Sequence, residues 1–409
     1  MHFIIIWYLG VLKKINILLF SNIRIGKLIF IPVPVLIWFL LPLIAVFAEL
    51  FHDKINNYLI YKSVFDHTLQ QNNLYLFYPE EFNDCNHYGP FFSLIIAPFA
   101  LLPNSSGVVL WVIANTWFLY YALKQLPISS KAFYIILVIC AIELMTSIHN
   151  VQFNPMMTAW MILSFTMVRK GKDFWATLFI VAGFMTKIYG IVGLLFFLFS
   201  DNKLKFVASF IFWSVVLFCL PMLISSPAFI VQSYIDWKDS LVLKDTQNSI
   251  LGNMQDISIQ GMIRRIFNYR EFPNLGVMIP GAILLGLPLL NYKMYRNVVF
   301  QLYYLALLMI TVVIFSSSAE SPTYIIALCG VAIWYVLNMH LNRISDKLLL
   351  AFVILLTCLS PTDLFPRYIR QNFVVTYALK ALPCIIVWLV LIGKVSFAAN
   401  EKLKSPEVI

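Results

Sequence analysis

Charged residues are scarce in this 409-residue chain and make up 12% of it, whereas 61% of its residues are hydrophobic. An ordinary soluble domain carries about twice that share of charge. Apolar runs of about 20 residues recur from end to end, which is the length that a helix needs to cross a bilayer. The composition therefore excludes an ordinary soluble enzyme and predicts an all-α polytopic membrane protein, because a helix satisfies its own backbone groups in lipid.

Signals for metals, nucleotides and disulfides are also missing. Only Cys85 among the six cysteines lies in a polar loop, so no disulfide framework is indicated. No histidine or cysteine spacing is typical of a zinc site, and no Gly-rich loop is typical of an ATP-driven machine. We expect neither a metal nor a cofactor. A net charge of +10 would favour nucleic acid for a soluble protein, but here the basic residues fix topology and we expect no nucleic-acid partner.

The distribution of Lys and Arg predicts the orientation in the membrane. Most of them fall in short segments on one predicted side, which is the cytoplasmic side by the positive-inside rule. The pattern predicts about 12 transmembrane helices, cytoplasmic N- and C-termini, and two large extracytoplasmic loops at 51–105 and 225–274. We divide the chain into a cytoplasmic or interfacial segment (1–27), one transmembrane domain (28–395) and a cytoplasmic tail (396–409).

Two stretches of this domain depart from ordinary spans. Residues 90–103 are too few to cross the membrane and indicate a re-entrant or interfacial helix. Residues 173–200 carry Lys187 in their middle. They form either two short helices that meet at Lys187 or one long span with a buried lysine, and the first arrangement suits a cavity.

The polar stretch after the first apolar run holds the candidate catalytic residue. Asp53 ends that run, where lipid lowers the local dielectric and makes a carboxylate a better base. Asn56 and Asn57 follow at the i+3 and i+4 positions and share its face if the segment is helical. Other loop carboxylates are interpreted as solvated: Asp66, Glu80, Glu81 and Asp84.

Further polar clusters face the same predicted side and suit a substrate with a phosphate and hydroxyls. Cations are natural partners of phosphate, and amides bind sugar hydroxyls. The candidate substrate-binding residues are Asn56, Asn57, Gln152, Asn154, Lys187, Gln255, Arg264, Arg265 and Glu320. Structural alternatives stay open, since Lys187 can snorkel, the two arginines can anchor a loop at the headgroups, and amides can cap helices. Glu143 is an intramembrane acid and is either a helix–helix contact or part of the site.

Five stretches, in this order, resemble the polyprenol-phosphate-dependent mannosyltransferases of glycosyltransferase family 87, within the GT-C superfamily. They are HDKINNYLIYKSVF, NNLYLFYPEEFNDCNHYGPFFSLIIAPFALLP with SSGVVLWVIAN, HNVQFNPMMTAWMIL, GFMTKIYGIVGLLFF and NSILGNMQDISIQGMIRRIF. The resemblance covers about residues 28–330.

The resemblance implies a GT-C-like membrane enzyme that takes a hexose, mannose by this likeness, from a polyprenyl-phosphate donor. It implies a catalytic aspartate in the first extracytoplasmic loop, the position of Asp53, and a lipid or glycan acceptor on the outer face of the cell membrane. Family members often carry a histidine where this chain has Glu320, and that departure indicates a different acceptor or no role for Glu320.

Three other functions compete with this interpretation. A flippase or transporter for a lipid-linked saccharide would show internal repeats, and none is visible. A polysaccharide polymerase or ligase would place arginines in the large outer loop and need no acid after the first span. For a non-catalytic partner of an envelope enzyme, Asp53 would be dispensable.

Overall fold

A computed structural model describes residues 22–25, 29–248, 255–397 and 403–409. A short antiparallel hairpin, β1 (Asn22–Ile25) and β2 (Ile29–Pro32), precedes a body whose described secondary structure is helical apart from an isolated bridge between Ile128 and Val408. The predicted all-α body is thus confirmed.

The first half of the described chain consists mainly of α-helices. They are α1 (Val33–Phe51), α2 (Asn56–Gln70), α3 (Phe92–Ala100), α4 (Asn104–Lys124), α5 (Ser130–His149), α6 (Asn154–Arg169), α7 (Asp173–Thr186), a 3₁₀ helix at Ile188–Phe199, and α8 (Lys203–Cys219).

The second half is more often interrupted by short turns of helix. Its α-helices are α9 (Pro227–Asn248), α10 (Ile259–Ile266), α11 (Leu275–Gly286), α12 (Val298–Ile314), α13 (Tyr324–Asn338), α14 (Ile344–Val353), α15 (Arg367–Ile369) and α16 (Leu382–Ser396). The 3₁₀ and π turns are Leu220–Leu223, Leu287–Leu290, Tyr292–Met294, Ser321–Thr323, Met339–Leu341, Ile354–Leu359, Arg370–Val375 and Leu379–Ala381.

Six helical stretches in the described part of the chain are long and apolar enough to cross a membrane. They are Val33–Phe51, Asn104–Lys124, Ser130–His149, Lys203–Leu223, Ser321–Leu341 and Leu379–Ser396. Shorter apolar helices lie at Asp173–Thr186, Ile188–Phe199, Leu275–Leu290 and Val298–Ile314. The total of about 12 spans stays a prediction.

The centre of the body is the antiparallel pair α12 and α13. Nearly every side chain of both helices is buried, which is typical of helices that are apolar on all sides and packed within a bundle. Helices α5, α6 and α16 contact this pair, and α1 and α4 pack farther out. The helix surfaces that would contact lipid are therefore on the peripheral helices.

Three elements differ from an ordinary span or from its predicted bounds. Helix α1 begins at Val33 rather than near residue 28, because Ile29–Pro32 pairs as a strand and Pro34 suits the first turn of a helix. Helix α3 has nine residues, a length of about 14 Å, and packs against α2 and α4. The stretch around Lys187 takes the form of two short helices that meet at that residue.

Two contacts involve the basic residues at the end of the bundle opposite the predicted site. Lys170 Nζ donates to Gln125 Oε1 at 2.7 Å, and Arg169 donates to Gln301. Because α6 runs from Asn154 to Arg169, the basic end of this helix and its amide-rich end lie on opposite faces of the body. The polar clusters predicted to face outward thus gather away from these basic loops.

Candidate active site

A cavity of about 690 Å³ opens where the ends of several helices meet. Its apolar lining includes Ile60, Ile188, Ile191, Val192, Leu241, Leu275, Met278, Val312 and Phe315. Its polar lining includes Asn57, Asp84, His87, Gln152, Lys187, Lys244, Asp245, Asn274, Ser316, Ser317, Ser318 and Glu320. A cavity lined by both kinds of side chain suits a molecule that joins an apolar chain to a polar head.

Lys187 reaches this cavity because the helix breaks at its backbone. Its Nζ donates to Asn154 Oδ1 at 2.8 Å and lies 5.0 Å from the centre of the Tyr189 ring. Asn154 in turn donates to the carbonyl of Pro322 at 3.1 Å, so the lysine is oriented from a second helix. An ammonium group held by a neutral amide keeps its charge available for an anion.

The loop that carries His87 and Tyr88 is fastened to the end of α7 by a glycine. Gly89 N donates to the carbonyl of Thr186 at 3.1 Å. A Cβ at position 89 would lie 2.0 Å from the Met185 carbonyl oxygen, so only glycine allows this approach. The glycine thereby sets the position of His87 and Tyr88 beside Lys187.

Gln152 is held by two tyrosines at the edge of the cavity. Its Oε1 lies 3.4 Å from Tyr88 OH and 3.5 Å from Tyr61 OH, and the two hydroxyls are 3.2 Å apart. Val151 beside it has φ of +47°, which is rare for a β-branched residue. Such strained backbone is often kept where a functional side chain must be aimed.

Glu320 lies on the turn between α12 and α13 and lines the same cavity. Burial raises the pKa of its carboxyl, and the charges of Lys187 and Lys244 oppose that rise. The turn is fixed on both sides, since Ala319 O accepts from Ile257 N at 2.8 Å and Ser321 Oγ accepts from Lys380 Nζ at 2.8 Å. A fixed carboxylate with a raised pKa beside two lysines is a candidate for proton transfer.

Asp84, His87, Lys244 and Asp245 also line the cavity, and sequence reasoning did not select them. Lys244 and Asp245 lie on α9, within a segment recognised only as a long polar interruption, and no motif marks them. Asp245 accepts from Asn274 at 2.9 and 3.1 Å and from Ser317, so its oxygens have protein partners. Burial, with Lys244 nearby, lowers the pKa of His87 to about 4, so the ring is neutral at pH 7.

The candidate residues of the first predicted loop occupy different positions relative to the cavity. Asn57 lines the cavity and donates to the carbonyl of Asn150 at 2.7 Å. Asn56 Oδ1 accepts from the backbone of Asn83 at 2.8 Å and does not line the cavity. Asp53 is exposed, has φ of +55° just beyond the end of α1, and is absent from the cavity wall. Its role as the base stays a prediction.

Arg264 and Arg265 also lie outside the cavity wall. Arg264 is buried and donates to Asp256 Oδ2 at 2.8 Å and to Asn274 Oδ1 at 2.7 Å. Arg265 donates to the carbonyl of Gln255 at 2.5 Å. The substrate contacts predicted for Arg264, Arg265 and Gln255 stay predictions, and the contacts in the structure are with the protein itself.

Among known protein families, the sequence model of glycosyltransferase family 87 matches residues 86–322. That range covers more than half of the chain. The chain belongs to glycosyltransferase family 87. No curated protein matches the sequence.

The family 87 match has two consequences for the site. It includes His87, Gln152, Lys187 and Glu320, whereas Asp53 lies before it. It also favours a membrane glycosyltransferase over the flippase, the polymerase and the non-catalytic partner. No group of three or more His, Cys, Asp or Glu side chains in the described ranges is arranged to hold a metal ion.

Proposed function

We propose that this family 87 protein transfers a hexose, mannose by its resemblance, from a polyprenyl-phosphate donor to a lipid or glycan acceptor outside the cytoplasm. The observation that carries the proposal is one cavity that Lys187, Lys244 and Glu320 line together with many apolar side chains. The family match supports the reaction class, and the mixed lining of the cavity supports the lipid-linked donor.

We place the donor phosphate next to the two lysines of the cavity. Lys187 and Lys244 are the two lysines among the described residues of the cavity wall, and a phosphate between them would gain charge-assisted hydrogen bonds in a partly desolvated place. The first isoprene units of the donor would lie along Ile188, Ile191 and Val192, where burial of apolar surface is favourable.

Glu320 is our assignment for the general base. The acceptor hydroxyl attacks the anomeric carbon while its proton passes to the Glu320 carboxylate. The bond between the anomeric carbon and the phosphate oxygen breaks, and the phosphate leaves with the electron pair, which inverts the anomeric centre. The lysines stabilise the departing phosphate, so no general acid is needed.

The sequence predicts a different base, Asp53, and the two assignments are rivals. Asp53 is solvent-exposed and lies off the cavity wall, whereas Glu320 is part of that wall. A base must come within hydrogen-bonding reach of the hydroxyl that it deprotonates, and this requirement favours Glu320.

Label transfer by the purified full-length protein tests the proposed function. The protein in phospholipid vesicles is incubated with polyprenyl-phosphate-[¹⁴C]mannose and a membrane lipid and glycan extract. Label should move to a product that no longer carries the polyprenyl phosphate. Movement of intact donor across the vesicle without a new glycoside would show a flippase instead.

Lys187→Ala should weaken use of the lipid-phosphate donor by about tenfold to a hundredfold. Loss of a charge-assisted contact costs roughly 1.5–3 kcal/mol, which corresponds to that range. The measurement is kcat/KM for the donor, with Lys238→Ala as a control, because Lys238 is exposed on α9 and is not part of the cavity wall. Unchanged donor kinetics in the Lys187 variant would remove this lysine from the phosphate site.

The predicted orientation can be tested with single cysteines in a cysteine-free background. A cysteine at Asn72, which is exposed near the cavity end, should react with an impermeant thiol reagent in intact spheroplasts. A cysteine at Lys170, which is exposed in a basic loop, should react only after permeabilisation. The opposite pattern would place the cavity on the cytoplasmic side.

A further inference from the structure

Asn154 lies between the two charged groups to which the proposed function gives roles. It is the first residue of α6, is fully buried, and is absent from the cavity wall. Its Oδ1 accepts from Lys187 Nζ at 2.8 Å, and its Nδ2 donates at 3.1 Å to the carbonyl of Pro322, just beyond Glu320. Because an ammonium only donates and a carbonyl only accepts, these two partners fix which way the amide points.

The backbone that carries this amide is held in place by aromatic packing. Phe153, the residue before it, is buried, and its ring stacks on that of Trp111 with the centroids 5.9 Å apart. The same ring meets Phe92 edge-on at 5.6 Å. Thr158 Oγ1 donates to the Asn154 carbonyl at 2.7 Å. The amide is therefore presented from a fixed point, which is what a side chain needs in order to orient another.

Lys187 and Glu320 line the same cavity without forming an ion pair. Burial raises the pKa of Glu320, and the charge of Lys187 opposes that rise, so the two groups lie within electrostatic reach of each other. None of the ion pairs between described residues joins them. The lysine is instead held by the neutral amide of Asn154.

Other charged groups also act near Glu320. Lys244 and Asp84 line the same cavity, and the first opposes the rise of the Glu320 pKa whereas the second adds to it. Lys380 contacts the turn that carries Glu320, but its ammonium lies 2.8 Å from Glu143 Oε1 and is paired there. Lys187 differs from Lys380 in its neutral partner, since an amide holds an ammonium without cancelling its charge.

A Lys187 ammonium without this hydrogen bond would pair with the carboxylate of Glu320. Opposite charges attract more strongly where water is partly excluded, and a lysine side chain is a flexible stem that can turn toward a nearby acid. Such a pair would cancel the charge that is needed for a phosphate. It would also occupy the carboxylate that accepts the proton.

We infer that Asn154 is a positioning residue that holds the Lys187 ammonium apart from Glu320, so that the lysine stays available for the donor phosphate and the glutamate for the proton. The inference rests on the proposed function and deepens it. Asn154 thereby acts through Lys187, and not through the direct substrate contact that the sequence predicts.

A double-mutant cycle on binding tests this inference without requiring transfer. The full-length protein and its variants in phosphatidylcholine nanodiscs are titrated at pH 7 with polyprenyl phosphate that carries no sugar. Asn154→Leu should weaken binding by about tenfold, because the released lysine pairs with Glu320. On the Glu320→Gln background the same change should weaken binding by less than about threefold, because no carboxylate is left for the lysine. Equal losses on both backgrounds, or no loss on either, would overturn the inference.

Asn338→Leu is the matched control at the other end of α13. Asn338 is also a buried amide that accepts from a lysine, Lys394, and donates to a backbone carbonyl, that of Trp334, at 2.7 Å. The variant loses the same kinds of hydrogen bond far from the cavity. It should leave polyprenyl-phosphate binding within about threefold on both backgrounds, and a loss equal to that of Asn154→Leu would reduce the effect to one of general packing.

Asn154→Asp keeps the size of the side chain and gives a second measurement should the leucine variant fail to fold. Its carboxylate still accepts from Lys187 but cancels the charge of the lysine. Binding of polyprenyl phosphate should therefore fall by about tenfold both with Glu320 and on the Glu320→Gln background. Binding as tight as that of the unaltered protein would contradict the role given to Asn154.

The result is separable from that of the transfer experiment. A protein that transfers mannose but loses polyprenyl-phosphate binding equally on both backgrounds refutes only the role of Asn154. A protein in which Glu320→Gln offsets the loss in Asn154→Leu, but which transfers no label from the donor, refutes the proposed function. An unaltered protein that binds no polyprenyl phosphate refutes both.

Discussion

Glu320→Gln should lower hexose transfer by about 10²–10⁴-fold, while protein level and donor binding persist. The amide keeps the size of the side chain but cannot accept the proton of the attacking hydroxyl, and a positioned base typically contributes that factor. The measurement is single-turnover transfer from polyprenyl-phosphate mannose, with donor affinity determined separately. Retention of near-normal transfer would exclude Glu320 as the base.

Asp53→Asn is the matched comparison because it removes the base that the sequence predicts. With Glu320 as the base, the Asp53 variant keeps transfer within a few-fold of the unaltered protein. Asp84→Asn separates a third carboxylate, which also lines the cavity of about 690 Å³. Loss of transfer in Asp53→Asn with retention in Glu320→Gln would restore the sequence-based assignment.

The dependence of transfer on pH tests Glu320 as the base independently of the loss of activity in the Glu320 variant. Burial raises the pKa of Glu320, and the base acts only when it is ionised. Transfer should therefore be full at higher pH and fall as the pH drops through a value above the usual glutamate pKa of about 4.3. The acidic limb of the profile should vanish from the residual activity of Glu320→Gln.

Lys380→Ala should lower the free energy of unfolding by about 3–5 kcal/mol, the usual cost of removing one partner of a buried ion pair. Lys380 Nζ lies 2.8 Å from Glu143 Oε1, and both side chains are buried. The same ammonium donates to Ser321 Oγ beside Glu320, so the pair also fixes the turn that carries the candidate base. Without the lysine, Glu143 would be left as an unpaired buried carboxylate.

Unfolding of the detergent-solubilised protein, followed by intrinsic fluorescence, measures this effect. Arg370→Ala is the control, because Arg370 pairs with an exposed Asp363 at 3.6 Å and such surface pairs contribute little. The double variant Glu143→Gln with Lys380→Met should recover part of the lost stability, since it removes both charges. A Lys380 variant as stable as the Arg370 variant would show that the pair does not hold this part of the bundle together.

The sequence predicted the helical body and singled out four of the side chains that line the cavity, and the reasons are local. Lys187 interrupts an apolar run too long for one short helix, and Gln152 and Asn154 stand between two apolar runs, so their polarity alone marks them. Of the nine candidate substrate-binding residues, Asn57, Gln152, Lys187 and Glu320 line one cavity. Glu143 was left open between a structural contact and the site, and it proves to be the partner of Lys380.

The other residues of the site are brought together by contacts that the hydrophobic periodicity of the sequence does not predict. Arg264 resembles a phosphate ligand in the sequence, but Asp256, eight residues earlier, pairs with it in the fold. In the sequence, Asp84 has the pattern of a solvated loop acid, and nothing distinguishes Lys244 from the other lysines of its polar segment. Only the packing of α9 over the loop at His87, where Trp237 Nε1 donates to the His87 carbonyl at 3.0 Å, brings them to the cavity.

The position of a bound donor analogue tests the central claim most directly. A non-hydrolysable polyprenyl-phosphonate hexose, imaged with the full-length protein in nanodiscs by cryo-electron microscopy, should place its phosphonate within hydrogen-bonding distance of Lys187 Nζ. Its lipid should lie along Ile188, Ile191 and Val192, and its sugar should face Glu320. A phosphonate bound at Arg264 and Arg265, or a sugar at Asp53 with the cavity empty, would contradict the account.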